Sequence, residues 1–161
     1  YIATSVFIDD EMKKKIALHQ QRRPQNWETI EEGYDLIKII KNADKQSCYL
    51  IDCITVYITN LFLKFDNEEK VIEHIKKLLV EIQKKECNII AVVNEVGLLV
   101  IQENQLARRF SELAGIVNQI FAAAADEVYF CVAGLHLKFS DILKSQYHST
   151  TSQENQLHSL L

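Results

Sequence analysis

At 161 residues, 48% of them hydrophobic and 25% charged, the chain has the size and composition of one soluble globular domain with a buried core. A net charge of −4 excludes general attraction to DNA or RNA, which needs a basic face against phosphate. No apolar run approaches the roughly 20 residues that span a bilayer, and the opening residues lack the basic-then-apolar form of a signal peptide.

In chain order, Ala3 to Phe7 reads as the end of a strand, Asp9 and Asp10 cap a helix running to about Gln20, and Arg23-Pro24 stops it. Trp27 to Glu31 reads as a short edge strand, and Tyr34 to Ile40 carries apolar residues at helical spacing. Cys48 to Cys53 is a compact apolar run of the central-strand kind. Thr55 to Phe65 and Glu69 to Lys85 read as helices, the second with an apolar stripe through Val71, Ile75, Leu78 and Ile82. Asn88 to Val93 is a second buried strand. Glu103 to Ala125 is a long helix with an apolar face through Leu106, Phe110, Leu113, Val117 and Ile120, and Glu127 to Ala133 is a last strand before Gly134.

Strands that alternate with helices and are themselves continuously apolar predict an α/β fold, a three-layer arrangement with a mostly parallel sheet flanked by helices. Ligands of such sheets sit outside the carboxyl ends of the strands. Residues 1–146 read as one nucleotide-binding domain, and residues 147–161 as a polar tail that frays or crosses to a neighbouring subunit. Cys48, Cys53, Cys87 and Cys131 fall in or beside apolar runs with no zinc-like spacing, and read as buried thiols in a reducing cytosol.

The residues suited to chemistry cluster near the start. His19, followed by Gln20, Gln21, Arg22 and Arg23, sits on a helix that follows a strand ending in Ala3, Thr4 and Ser5. An imidazole beside guanidinium groups is suited to take up a phosphoryl or nucleotidyl group, although periodicity alone leaves His19 as a surface histidine near a helix end. Lys13, Lys14 and Lys15 read as a solvated helix face. Asp52 ends an apolar strand, as a magnesium-positioning carboxylate does; the blander role is N-cap of the next helix, and the two can coexist. Arg108 and Arg109 lie on the long helix, one of them within reach of Glu112 at helical spacing. His74, His136, His148 and His158 have no partner pattern and read as incidental.

The spacing Ile16-x-x-His19-x-x-x-Arg23-Pro24, with Trp27 and Glu31 shortly after, resembles the bifunctional adenosylcobinamide kinase / adenosylcobinamide-phosphate guanylyltransferase family of cobalamin biosynthesis. The resemblance recurs at Leu50 to Thr55 with Thr59-Asn60-Leu61, at Val93 to Gly97, and from Glu103 through Val128. It implies a RecA-like P-loop NTPase fold. His19 matches the histidine that carries GMP; Ala3, Thr4, Ser5, Gln20, Gln21, Arg22, Arg23, Glu31 and Asp52 match positions that line the nucleotide, with Asp52 also toward Mg2+. It further implies GTP or ATP and adenosylcobinamide as substrates, a cytoplasmic location and a homotrimer.

Two departures accompany it. The family's opening strand and G-x-x-x-x-G-K-[ST] loop have no counterpart here, with glycines only at Gly33, Gly97, Gly115 and Gly134, so the chain is expected to lack an N-terminal segment. The loop after Gly97 carries Leu99 and Gln102 where the family commonly has a second glycine and a proline. Leu135 to Leu161 reads as an extension beyond the family pattern. These departures keep open a degenerate, non-catalytic member that binds nucleotide, corrinoid or a partner subunit, and another P-loop phosphotransferase using the same sheet edge.

Overall fold

A computed structural model describes residues 1–6, 10–98 and 104–139. The elements are β1 (Ile2–Ala3), α1 (Asp10–Arg22), β2 (Ile30–Glu31), α2 (Leu36–Lys41), β3 (Cys48–Asp52), α3 (Ile54–Phe65), α4 (Glu68–Gln83), β4 (Asn88–Ala91), α5 (Gln105–Ala124), β5 (Tyr129–Val132) and β6 (Leu135–Lys138). A short 3-10 turn, Val96–Leu98, follows β4. The capping role expected of Asp9, the altered loop at Leu99 and Gln102, the helix start at Glu103, the tail 147–161, and His148 and His158 lie outside the described residues. Contacts divide the chain into two compact units, Tyr1–Ile120 and Phe121–Leu161.

In the first unit four parallel strands pair in the order β2-β1-β3-β4. An α/β sheet of this kind, flanked by helices, is what the strand-helix alternation predicts. Ile2 stands opposite Ile30 on one side and Ile51 on the other, and Ala3 opposite Glu31 and Asp52. Ile2 and Ile51 are fully buried, as are Ile54, Tyr57, Ile58 and Leu61 of α3 and Val71, Ile75 and Leu78 of α4. This is the core, and α4 packs in it against α2 and α3. The corner between α3 and α4 is tight. Asp66 takes the left-handed conformation (φ 43°) that short polar side chains tolerate, and Asn67 caps α4 by accepting from the Lys70 amide.

Three expectations need correction in this unit. β1 ends at Ala3 rather than Phe7, since beyond it the Thr4 carbonyl accepts from the Asn60 side chain instead of a strand neighbour. β4 ends the sheet among the described residues, and its Ile90 is 54% exposed where a covered strand was expected. The buried face of α5 runs through Leu113, Ala114 and Val117, while Leu106 is 47% exposed.

The second unit holds a hairpin absent from the sequence reading. β5 pairs antiparallel with β6 across Ala133 and Gly134, both at positive φ (51° and 77°), the conformation that two-residue hairpin loops require. Lys138 binds Glu127 at 2.6 Å, Glu127 also accepts from the Tyr129 hydroxyl, and Phe130 meets Phe139 edge-on. The hairpin leaves Cys131 exposed, and Cys48, at the opening of β3, is exposed too. Of the four thiols only Cys53 is buried, so the expectation of four buried thiols fails.

Candidate active site at the carboxyl edge of the sheet

β1 and β3 end side by side, which brings Ala3 opposite Asp52 and starts the site. The Thr4 backbone amide donates to the Asp52 carbonyl at 3.2 Å. Its hydroxyl donates to the Cys53 carbonyl (2.8 Å) and accepts from the Cys53 amide (2.9 Å). Thr4 is fully buried, so its amide and hydroxyl both bond inside the fold and fix where the chain leaves β1. Asn60 of α3 completes this latch, donating through Nδ2 to the carbonyls of Thr4 (2.8 Å) and Gly33 (3.1 Å). Gly33 leaves room for this close approach: a Cβ would lie 2.1 Å from Val6 Cγ1 and 3.0 Å from both Thr4 O and Asn60 Nδ2.

Asp52 does not cap α3. That role falls to Cys53, whose Sγ accepts from the Val56 amide at 3.4 Å, after a cis Asp52-Cys53 peptide bond. The Asp52 carboxylate instead accepts the Tyr1 hydroxyl through Oδ2. Burial, reinforced by the hydrogen bond and the charge of Asp52 and opposed by Arg23, pushes the Tyr1 phenol up to about 12. The hydroxyl is therefore a proton donor throughout the neutral range.

Asn94 joins the same edge from beyond β4. Its amide donates to Thr55 Oγ1 at 2.8 Å, and Asn118 of α5 donates to the Asn94 carbonyl (3.3 Å) and to Glu95 Oε1 (2.8 Å).

The second half of the site comes from the end of α1. Pro24 follows the helix and turns the chain, and Gln20, Gln21, Arg23, Pro24, Gln25, Trp27 and Thr29 line an open cavity of about 340 Å3. The Arg23 guanidinium lies 3.6 Å from the centre of the Tyr1 ring, and its NH1 donates to Thr29 Oγ1 at 3.2 Å. Arg23 Nε is buried and has no partner among the described residues. A buried donor left unpaired is costly, and an oxygen ligand in the cavity would remove that cost.

The structure thus gathers Ala3, Thr4 and Asp52 at the β1–β3 edge, sets Glu31 opposite Ala3 on β2, and places Gln20, Gln21 and Arg23 around the cavity. Tyr1 links the two groups. Ser5 is half-buried beyond β1, Glu31 is exposed, and Arg22 is the last residue of α1. His19 is exposed on α1, immediately before the lining residues and not among them. Lys13 pairs with Asp10 in solvent, as a solvated face requires. Arg109 does not pair along its own helix with Glu112; it reaches Glu68 (2.7 Å) and Asp66 (3.4 Å) and so ties α5 to the α3–α4 corner.

Sequence reasoning overlooked Tyr1, Gly33 and the structural role of Asn60. A lone amide inside the mostly apolar stretch Val56 to Leu63 was the available signal, because a buried polar group demands partners. His74 is not incidental either: its Nε2 lies 2.7 Å from the hydroxyl of the fully buried Tyr57.

Among the described residues no cluster of three or more His, Cys, Asp or Glu side chains forms a metal cage. Asp52 alone still fits Mg2+, a hard cation that keeps several waters and is usually held by one or two carboxylates together with substrate phosphates. No helix among the described residues is long and apolar enough to cross a membrane.

The profile of the cobinamide kinase / cobinamide phosphate guanyltransferase family matches residues 1–139. The match takes in β6, so the hairpin is part of the family pattern and not of an extension starting at Leu135. The chain is 35% identical over 151 residues to the bifunctional adenosylcobalamin biosynthesis protein CobU of Escherichia coli K12, covering 86% of this chain and 83% of that protein. It is 39% identical over 152 residues to CobU of Salmonella typhimurium LT2, with the same two coverages of 86% and 83%. The bifunctional protein CobP of Pseudomonas aeruginosa is 38% identical over 136 residues, 84% of this chain and 78% of the relative.

Proposed function

The chain belongs to the cobinamide kinase / cobinamide phosphate guanyltransferase family, and on that premise we propose that it phosphorylates adenosylcobinamide and then guanylylates the product, with His19 as the carrier of GMP. In the transfer the unprotonated His19 nitrogen attacks the α-phosphorus of GTP. An N–P bond forms, the bond from that phosphorus to the bridging oxygen breaks, and pyrophosphate leaves with the electron pair. The phosphate of adenosylcobinamide phosphate then attacks the phosphoramidate, giving adenosylcobinamide-GDP and restoring the imidazole.

Arg23 is the observation that carries this reading. Arg23 lines the cavity that follows His19 in the chain, and it holds a buried N–H with no partner among the described residues, a donor suited to phosphate oxygen. Gln20 and Gln21 extend the same wall, Arg22 is assigned to the nucleotide on the family resemblance, and Glu31 is assigned to the guanine or ribose. Ala3, Thr4 and Ser5 set the backbone edge on which the nucleotide lies. Asp52 is the residue that would hold Mg2+, which when bound offsets phosphate charge. We assign the protein to the cytoplasm and to a homotrimer on the same family grounds; light scattering that returns a monomer would remove the trimer.

One observation favours a second reading, a member that binds nucleotide, corrinoid or a partner without transfer: His19 is not among the residues lining the cavity. Intact mass spectrometry of the full-length protein after incubation with Mg2+ and GTP separates the two. A GMP-sized adduct, absent in His19→Ala, supports transfer. Folded protein with no adduct supports the binding member.

A further inference from the structure

We propose that Tyr1 is a positioning residue of the nucleotide site, standing between Arg23 and Asp52 and keeping each free for its ligand. The inference rests on the reading that Arg23 meets nucleotide phosphate.

Arg23 and Asp52 both contact the same side chain, Tyr1, so their opposite charges lie at one sheet edge. A guanidinium and a carboxylate in that situation normally form a bidentate pair, which would consume the in-plane N–H donors of the one and the oxygens of the other. No Arg23–Asp52 ion pair occurs among the described residues. Instead the guanidinium lies 3.6 Å over the Tyr1 ring, and the Tyr1 hydroxyl donates to Asp52 Oδ2.

The two contacts use complementary parts of each group. A cation over the ring is held through the π face, a contact that does not use up the N–H donors of the guanidinium as a carboxylate pair would. One of those donors, NH1, is held by Thr29 at 3.2 Å, which fixes the rotation of the plane. Another, Nε, is buried and has no partner among the described residues. On the other side, one hydroxyl donor fixes the orientation of the Asp52 carboxylate, the service that hydrogen bonds behind a metal ligand usually perform. A single phenol therefore orients a phosphate-binding cation with its ring and a metal-binding anion with its hydroxyl, while separating the two.

The separable halves make the test. GTP binding is measured by calorimetry in EDTA, and the Mg2+ concentration giving half of the GMP adduct is measured by mass spectrometry, with circular dichroism as the check on folding. Tyr1→Leu removes the ring and is expected to weaken GTP in EDTA about fivefold to tenfold, the scale of one cation–π contact. Tyr1→Phe keeps the ring; GTP binding in EDTA stays within about twofold, while the Mg2+ requirement rises about threefold to tenfold through the loss of the Asp52 contact. GTP binding in Tyr1→Leu equal to that of the unmutated protein, equal losses in both variants in EDTA, or an unchanged Mg2+ requirement in Tyr1→Phe each overturns the proposal. Arg23→Ala distinguishes the failures. If it too binds GTP normally, the assignment of Arg23 to the nucleotide falls and takes the role of Tyr1 with it. If Arg23→Ala weakens GTP and Tyr1→Leu does not, only the role of Tyr1 falls.

Discussion

The exit of β1 and the end of α1 belong to the same candidate site but are built in opposite ways. At the β1 exit, Thr4, Cys53, Asn60 and Gly33 are tied by short hydrogen bonds, and the polar atoms of Thr4 face protein. At the end of α1, Leu18, His19, Gln20 and Gln21 are exposed, and Arg23 has a buried N–H with no partner among the described residues. The first region contributes shape and the second contributes reactive groups. Substitutions should therefore separate cleanly: stability lost at the latch with the chemistry intact per folded molecule, chemistry lost at the arm with stability intact.

The widest separation is expected from His19→Ala. It removes the GMP adduct entirely while unfolding free energy, followed by urea titration, moves by less than about 0.5 kcal/mol, as for other exposed sites. A large loss of stability in this variant would break the comparison. Gly33→Ala is the converse, with a Cβ pressed onto the Thr4 carbonyl and the Asn60 amide at 3.0 Å. Val6 Cγ1, although closer at 2.1 Å, belongs to a partly exposed side chain that can swing away. Overpacking against the backbone sets the cost, about 1–3 kcal/mol by urea titration. Thr4→Val keeps the shape and deletes the hydroxyl that serves both Cys53 backbone groups, for an expected loss of about 1–2 kcal/mol. Its folded fraction should still form the adduct; a folded Thr4→Val protein without adduct would move Thr4 from the latch into the reactive region.

This contrast also explains what was legible beforehand. The order of helices and strands through α5 could be read because apolar periodicity reports burial, and β3, with Ile51 fully buried, follows the rule for central strands. The arm could be read because its residues are chemically conspicuous in sequence. The latch could not: Gly33 is defined by what approaches it from Val6, Thr4 and Asn60, positions far apart in the chain. The secondary capping role given to Asp52, since acids commonly cap helices, went instead to the thiol of the next residue. The β5–β6 hairpin escaped notice because its turn is Ala133-Gly134 instead of the usual Asn-Gly or Asp-Gly, and because β6 is short and alternates polar with apolar residues.

The smallest predicted effect tests how far the buried region extends. Tyr34 follows Gly33, and its carbonyl accepts from the Tyr57 hydroxyl at 3.2 Å, while that hydroxyl lies 2.7 Å from His74 Nε2. With the hydroxyl proton directed at Tyr34, His74 donates from Nε2, and the chain of bonds runs from α4 to the residue beside the latch. Burial holds the His74 pKa below its ordinary 6.5; the Asp35 charge raises it, and Lys77 and Lys64 lower it. The unfolded chain then binds the proton more readily than the folded one. The stability contributed by neutral His74 is accordingly complete above pH 6.5 and declines as the pH falls below that value. The decline should be shallow, because the ring is only part-buried and solvent screens it. His74→Gln removes the titration, so the difference in urea midpoint between pH 7.5 and pH 5.5 should shrink in the variant. An identical pH dependence in both proteins would end the buried network at Tyr57 and leave the β1 latch to stand on its own hydrogen bonds.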